Sequence, residues 1–232
     1  MRRRVWRFVK NGRRLVGLLA STLMLAVAVA SAEPLQFTVI GIDCKECAPP
    51  IVKALRQVPG VKTATLDWKK GVATVEVAPG FDRTSIKKAV DAIGYEAIFP
   101  GENRKEFTAL PADVVAKLDI VSYDGATKVD LKKVPVPGKV TVLDYWAEWC
   151  SPCHFLEKRL HHVMNAKPGM ALRRVNVGKW NNAAARQATS EFRLEALPYV
   201  RVYDARGKFV GDVTGGSWDD LLKVLDRARS SG

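Results

Sequence analysis

The sequence predicts a two-domain chain of mixed class, an α+β domain followed by an α/β domain, behind a leader of 32 residues. Three observations predict it. From Leu35 to Phe99, segments of strand and helix period follow one another in the order strand, helix, strand, strand, helix, strand. Near Val114, beyond a polar stretch, the alternation begins again, and there an apolar strand runs directly into a helix headed by a cysteine pair. The first 32 residues fit neither pattern.

That leader opens with "MRRRVWRFVKNGRR", which carries seven Lys and Arg and no acid. The uncharged run "LVGLLASTLMLAVAVA" comes next, and Ala30-Ser31-Ala32 offers the small-x-small pattern of a signal peptidase site. We expect a signal peptide cleaved after Ala32. The alternative is an uncleaved anchor, because Leu15 to Ala32 approaches the length that spans a bilayer. Both readings put the remainder outside the cytoplasm, in the periplasm, with the membrane reached only through the N-terminal segment.

Removing the leader changes the charge balance. The formal +13 of the 232-residue chain falls to +6 once the seven leader charges are gone. The remaining Lys and Arg are scattered among acids without an aromatic-interleaved basic cluster, so no nucleic-acid partner is expected. A 47% apolar composition is that of a globular protein and excludes disorder of the whole chain.

In the first domain, residues 33–99, "LQFTVIGI" alternates as a half-buried strand. "CAPPIVKALRQV" places Ile51, Leu55 and Val58 at helical spacing, and Pro49 and Pro50 fit because they fall in the first turn. "VKTATLDW" and "VATVEV" are strands joined across "KKG". "DRTSIKKAVDAIG" is a second helix with Ile86, Val90 and Ile93 on one face, stopped by Gly94. This order is that of a ferredoxin-like βαββαβ sandwich.

The four cysteines form two C-x-x-C pairs, Cys44/Cys47 and Cys150/Cys153. Loops this small remove little entropy from the unfolded chain, so as disulfides they would stabilise little. Metal binding or electron exchange suits them better.

"GIDCKEC", "ALRQVPGV" and "AVDAIGYEA" together resemble the heavy-metal-associated domains of copper chaperones, periplasmic mercury-binding proteins and metal-pump N-termini. The resemblance implies a metal site at Cys44 and Cys47, on the loop ahead of the first helix. Two thiolates suit Cu(I), the first expectation, or Hg(II). Asp43 resembles the Asp-Cys-x-x-Cys variant of zinc, cadmium and lead pumps and would add a harder ligand for Zn(II) or Cd(II), or it satisfies loop N–H groups instead. Ile42 stands where the family has a core Met. Tyr95 either screens the metal or is a core aromatic. The pair can also rest as a disulfide that binds nothing.

Residues 100–113, which open with "PGENRKEFTALP", read as a linker, and residues 114–232 as the second domain. "KVTVLDYWAEWCSPCHFLEKRLHHVM" is the strand and cysteine-led helix, "ALRRVNV" a strand, and Asn182 to Glu191 a helix. "LPYVRVYD" and "KFVGDV" make a hairpin, and "SWDDLLKVLDRAR" is a closing helix capped by Ser217.

"WCSPCH" can be read as C-x-x-C-H, a c-type haem attachment, or as W-C-x-P-C, a redox dithiol. The strand before it, together with Trp149 and Pro152, favours the dithiol, and no haem is expected. "LDYWAEWCSPC" and the later "LPYV" resemble thioredoxin from roughly Val114 to Ser230, which implies a thioredoxin fold. A cysteine at a helix N-terminus has a stabilised thiolate, so Cys150 is the expected nucleophile and Cys153 the resolving thiol. The resemblance makes Asp144 the buried acid that moves the resolving proton, the alternative being a satisfied strand-end carboxylate. It makes Pro198 a cis proline beside the dithiol that leaves backbone groups free for a bound substrate chain. Ser-Pro between the cysteines departs from the usual Gly-Pro, and proline before the second Cys favours a reductant. His161 and His162 point in different directions on a helix and are read as surface residues.

The resulting expectation is an exported thiol-disulfide oxidoreductase with a soft-metal-binding module, acting in metal-site thiol reduction or metal transfer. Its partners would be a metalloprotein or other disulfide-containing protein and an upstream membrane thiol donor. The alternative is a metal chaperone or scavenger whose second domain is a docking scaffold.

Overall fold

The computed structural model describes residues 33–103 and 107–231, so the expected leader, Met1 to Ala32, lies outside the described residues. The first domain is one antiparallel sheet in the order β2-β3-β1-β4, formed by β1 (Glu33–Ile40), β2 (Val61–Asp67), β3 (Val72–Val77) and β4 (Glu96–Ile98). Its helices are α1 (Ala48–Arg56) and α2 (Arg83–Asp91). Alternation sends Phe37 and Val39 of β1 and Ala73, Val75 and Val77 of β3 into the core. Ile51 and Leu55 from α1 and Ile86 and Val90 from α2 meet them there, all four fully buried. Pro49 falls at the start of α1, and Asp82 caps α2 through the N–H of Thr84 at 2.9 Å. Val58 and Ile93 lie just past the helix ends; Val58 is buried and Ile93 packs against the core half-buried.

The second domain is a five-stranded mixed sheet in the order β5-β7-β6-β8-β9. Its strands are β5 (Ile120–Tyr123), β6 (Val140–Trp146), β7 (Met170–Asn176), β8 (Tyr199–Tyr203) and β9 (Phe209–Thr214). β5, β7 and β6 run parallel, and the β8-β9 hairpin joins through β8, which is antiparallel to β6. Helices α4 (Ser151–Ala166) and α6 (Trp218–Ser230) bury Leu156, Leu160, Leu221 and Leu225 against one face. α5 (Ala183–Phe192) packs Ala184, Ala185 and Ala188 on the other, beside Leu143 and Tyr145. Central strand β6 is therefore buried on both faces, as a strand between two helix layers requires. The four-residue helix α3 (Ala112–Val115) and the edge strand β5 lie where no element was expected, and α3 starts within the expected linker.

The two domains are packed together as one compact unit. Gly94, after α2, meets Gly215 and Gly216, after β9. A Cβ on Gly94 would come within 2.8 Å of the Gly215 carbonyl oxygen, and one on Gly216 within 3.2 Å of the Gly94 Cα and 2.7 Å of the Pro198 ring. Only glycines permit that approach. Around it, Asp91 accepts hydrogen bonds from the Ser217 hydroxyl (2.6 Å) and the Trp218 N–H (3.0 Å). Arg159, 3% exposed, donates to Glu96 at 2.5 Å and lies over the Phe155 ring at 4.1 Å. No helix among the described residues is long and apolar enough to cross a membrane.

Candidate functional site

The loop after β1 carries the first cysteine pair. Cys44 occupies the N-cap position of a single 3-10 turn (Lys45–Cys47) and Cys47 that of α1, neither with a side-chain cap hydrogen bond, which places the pair at the positive end of α1. Cys44 is half-buried, Cys47 is buried, and Asp43 beside them is exposed. The ligand atoms of Asp43, Cys44 and Cys47 lie within 4.8 Å of one another. Two sulfurs and one carboxylate oxygen in that space fit a soft or borderline ion. The two cysteines are joined here as a disulfide, and a disulfide cannot ligate metal until it is reduced. Ile42 packs against the domain core, as a substitute for a core Met should.

The second pair stands where β6 meets α4. Cys150 is the N-cap of α4, and its sulfur accepts the Cys153 N–H at 3.3 Å, so the helix terminus itself stabilises negative charge on that sulfur. Cys150 is 3% exposed and Cys153 fully buried, and they too form a disulfide. His154 is half-buried, its Nε2 engaged by the Glu148 carbonyl at 2.8 Å and its ring edge-on to Trp146.

Cys44, Cys47 and Cys150 line one cleft of about 420 Å³, with Cys153 buried behind it. Cys44, Cys47, Ile93 and Tyr95 face it from the first domain, and Trp149, Cys150, Pro152, Leu197 and Gly215 from the second. It is also lined by Trp180, whose ring centroid is 6.3 Å from that of Trp149. The Ser151 hydroxyl ties the loops, donating to the carbonyl of Gly41 at 2.7 Å and interacting with the Tyr95 phenol. Burial, with the nearby Asp43 charge adding to it, pushes the phenol up to about 12, so Tyr95 stays a neutral donor. Tyr95 is thus both a buried aromatic and part of the cleft wall.

Asp144 is fully buried, and parallel register sets it opposite Arg174, whose Nε donates to it at 3.1 Å. Burial raises its carboxyl to about 6 against the opposing pull of the Arg174 charge. Its other oxygen has no hydrogen-bond partner among the described residues. Arg174 also bonds Glu157 at 2.6 Å and lies over the Trp146 ring.

The Leu197–Pro198 bond is cis, and Pro198 lies buried against Gly216. Its carbonyl accepts the Gly215 N–H at 2.9 Å. The preceding residue, Leu197, makes no backbone hydrogen bond among the described residues. His161 and His162 are half-buried rather than surface residues. His161 lies 3.8 Å from Glu157, and burial holds its pKa below the usual imidazole value, while His162 Nε2 meets the Thr108 carbonyl at 2.8 Å. The linker therefore runs against α4, a long-range contact that helix periodicity alone does not announce.

Residues 36–96 match the heavy-metal-associated domain family and residues 123–227 the thioredoxin family. The chain joins a heavy-metal-associated domain to a thioredoxin domain. It is 34% identical over 70 residues to a mercuric reductase of Serratia marcescens, covering 28% of this chain and 15% of that protein. It is 35% identical over 78 residues to copper-transporting ATPase 1 of Rhizobium meliloti, covering 32% and 9%. The thioredoxin domain is 25% identical over 93 residues to the chloroplastic thioredoxin F of Oryza sativa, covering 40% and 47%. The chain thus spans less than half the length of each of these relatives. A C-x-x-C in each domain equips the chain for metal-related thiol chemistry, either redox or chaperoning, and the heavy-metal-associated domain for soft-metal binding.

Proposed function

We propose that the protein is an exported thiol-disulfide reductant whose principal substrate is its own metal-loop disulfide. The observation that carries this reading is the shared cleft, which Cys44, Cys47 and Cys150 all line. The reduced thioredoxin dithiol supplies two electrons. The Cys150 thiolate attacks the sulfur of Cys44, the more exposed of its pair, forming a mixed disulfide and releasing Cys47 as a thiolate. Cys153 then attacks Cys150, which closes the Cys150–Cys153 disulfide and frees Cys44. Asp144, buried and raised, is suited to take the Cys153 proton.

The freed Cys44 and Cys47 hold the metal as cargo, with Cu(I) first among the ions that two thiolates suit, Hg(II) after it, and Asp43 a further donor for Zn(II) or Cd(II). The basic and apolar leader supports export to the periplasm, where such a pair tends to reoxidise and needs a reductant. An upstream membrane thiol donor would recharge Cys150 and Cys153. The apolar cleft and the resemblance to a copper-transporting ATPase in the metal-loop domain favour soft-metal handling.

The test is the rate at which limiting dithiothreitol reduces Cys44–Cys47 in the full chain. Wild type should react faster than Cys150→Ser, and equal rates would overturn the reading.

A further inference from the structure

The surface that flanks a redox dithiol is where a protein substrate must dock, and a specific protein contact needs roughly 800 Å² on each partner. In this chain that surface is partly taken up. Gly94 of the metal-loop domain sits against Pro152 and the Gly215–Gly216 turn, and Cys150, 3% exposed, opens onto the cleft that Cys44 and Cys47 share.

This approach is fastened by contacts with no role in the sulfur chemistry. Asp91, the last residue of α2, accepts hydrogen bonds from the Ser217 hydroxyl and the Trp218 N–H, the N-cap and first residue of α6. A residue of one domain therefore completes the cap of a helix in the other, and it does so across 126 positions of sequence. The partners are buried or half-buried, so water competes poorly for the contact. Glu96 and Arg159 make a second fastening, and the Gly94 approach leaves no room for a side chain between the domains.

We propose that Asp91 and Ser217 are specificity-determining residues: their clasp dedicates Cys150 to the Cys44–Cys47 disulfide and keeps outside protein disulfides from it. The inference rests on the proposed reaction between Cys150 and the metal loop. Released from the clasp, the thioredoxin domain adds Pro152 and the Gly215–Gly216 turn to the already exposed Trp149 as a surface for any protein disulfide, and the metal loop loses its fixed approach to Cys150.

The test uses the full chain as wild type, Asp91→Ala and Ser217→Ala, each checked for native circular dichroism. Two rates are read with dithiothreitol as electron source: reduction of insulin, a bulky outside disulfide, and reduction of Cys44–Cys47. Loss of one cap from a docked–undocked equilibrium should raise the insulin rate about fivefold and lower the Cys44–Cys47 rate. General destabilisation would lower both. An insulin rate that is unchanged or reduced in both variants overturns the proposal. Failure of the parent reading looks different, because wild type and Cys150→Ser would then reduce Cys44–Cys47 equally whatever the clasp variants do to insulin.

Discussion

The Ser151 hydroxyl donates to the carbonyl of Gly41 at 2.7 Å, so the residue directly after the Cys150 nucleophile is tied to the loop that carries Cys44. Ser151 is 5% exposed, and removing its hydroxyl leaves a shielded carbonyl without its donor. Ser151→Ala should cost about 1–2 kcal/mol in urea unfolding. It should also slow reduction of Cys44–Cys47 by Cys150, measured by thiol alkylation and mass, since the loops lose one of their fixed contacts.

Asp144 sets a pH dependence with a definite sign. Its carboxyl is raised by burial from 3.8 to about 6, so between those values the folded protein holds a proton that the unfolded chain has released. The stability this contributes is complete below about pH 4 and is lost as the pH rises through about 6, a change on the order of 2–3 kcal/mol at most. In Asp144→Asn that fall should flatten, and the variant should be more stable than wild type at pH 8. Chemical denaturation at pH 4, 6 and 8 checks it.

Metal binding should follow the redox state of the loop. The oxidised protein should bind no Cu(I), because both sulfurs are in the disulfide. The fully reduced protein should bind Cu(I) at a site lost in Cys44→Ser/Cys47→Ser. Asp43→Asn should weaken Zn(II) more than Cu(I), since a carboxylate suits the harder ion. Anaerobic competition titration reads all three.

Arg159 is a buried cation whose guanidinium donates to Glu96 of the other domain, while its Nε has no hydrogen-bond partner among the described residues. Truncation to Ala leaves Glu96 partly buried without its partner and removes packing from the Phe155, Trp218 and Phe107 rings. The expected loss is about 3 kcal/mol by urea denaturation. Glu96→Gln, which keeps an acceptor, should lose less.

The core elements were legible because their signals are local. Ile51 and Leu55 recur at helical spacing, β6 is an apolar strand of the length a sheet centre needs, and each cysteine pair opens a helix. Strand β5 was not legible: it is four residues long at a sheet edge, exposed at three of them, and lacks a buried stripe. The domain interface was invisible for a different reason. Gly94 reads only as the stop of its helix, nothing in the sequence singles out Gly215 or Gly216, and Ser217 reads as the cap of its own helix through the Asp220 N–H. Nothing nearby in sequence announces that its hydroxyl donates to Asp91. Ser151 was read for redox potential, where Gly is usual, yet its contacts give it a docking role. Only tertiary structure supplies the Gly41 carbonyl that explains it.

The central claim is that Cys150 reaches the metal loop within one molecule. Cys47→Ser/Cys153→Ser leaves a single thiol in each pair, and mild oxidation at dilute concentration tests their meeting. The expected product is a Cys44–Cys150 disulfide, mapped by peptide mass spectrometry, in monomers and at a rate independent of protein concentration. Formation of that bond only between molecules, or free thiols at both positions under the same oxidation, would contradict it.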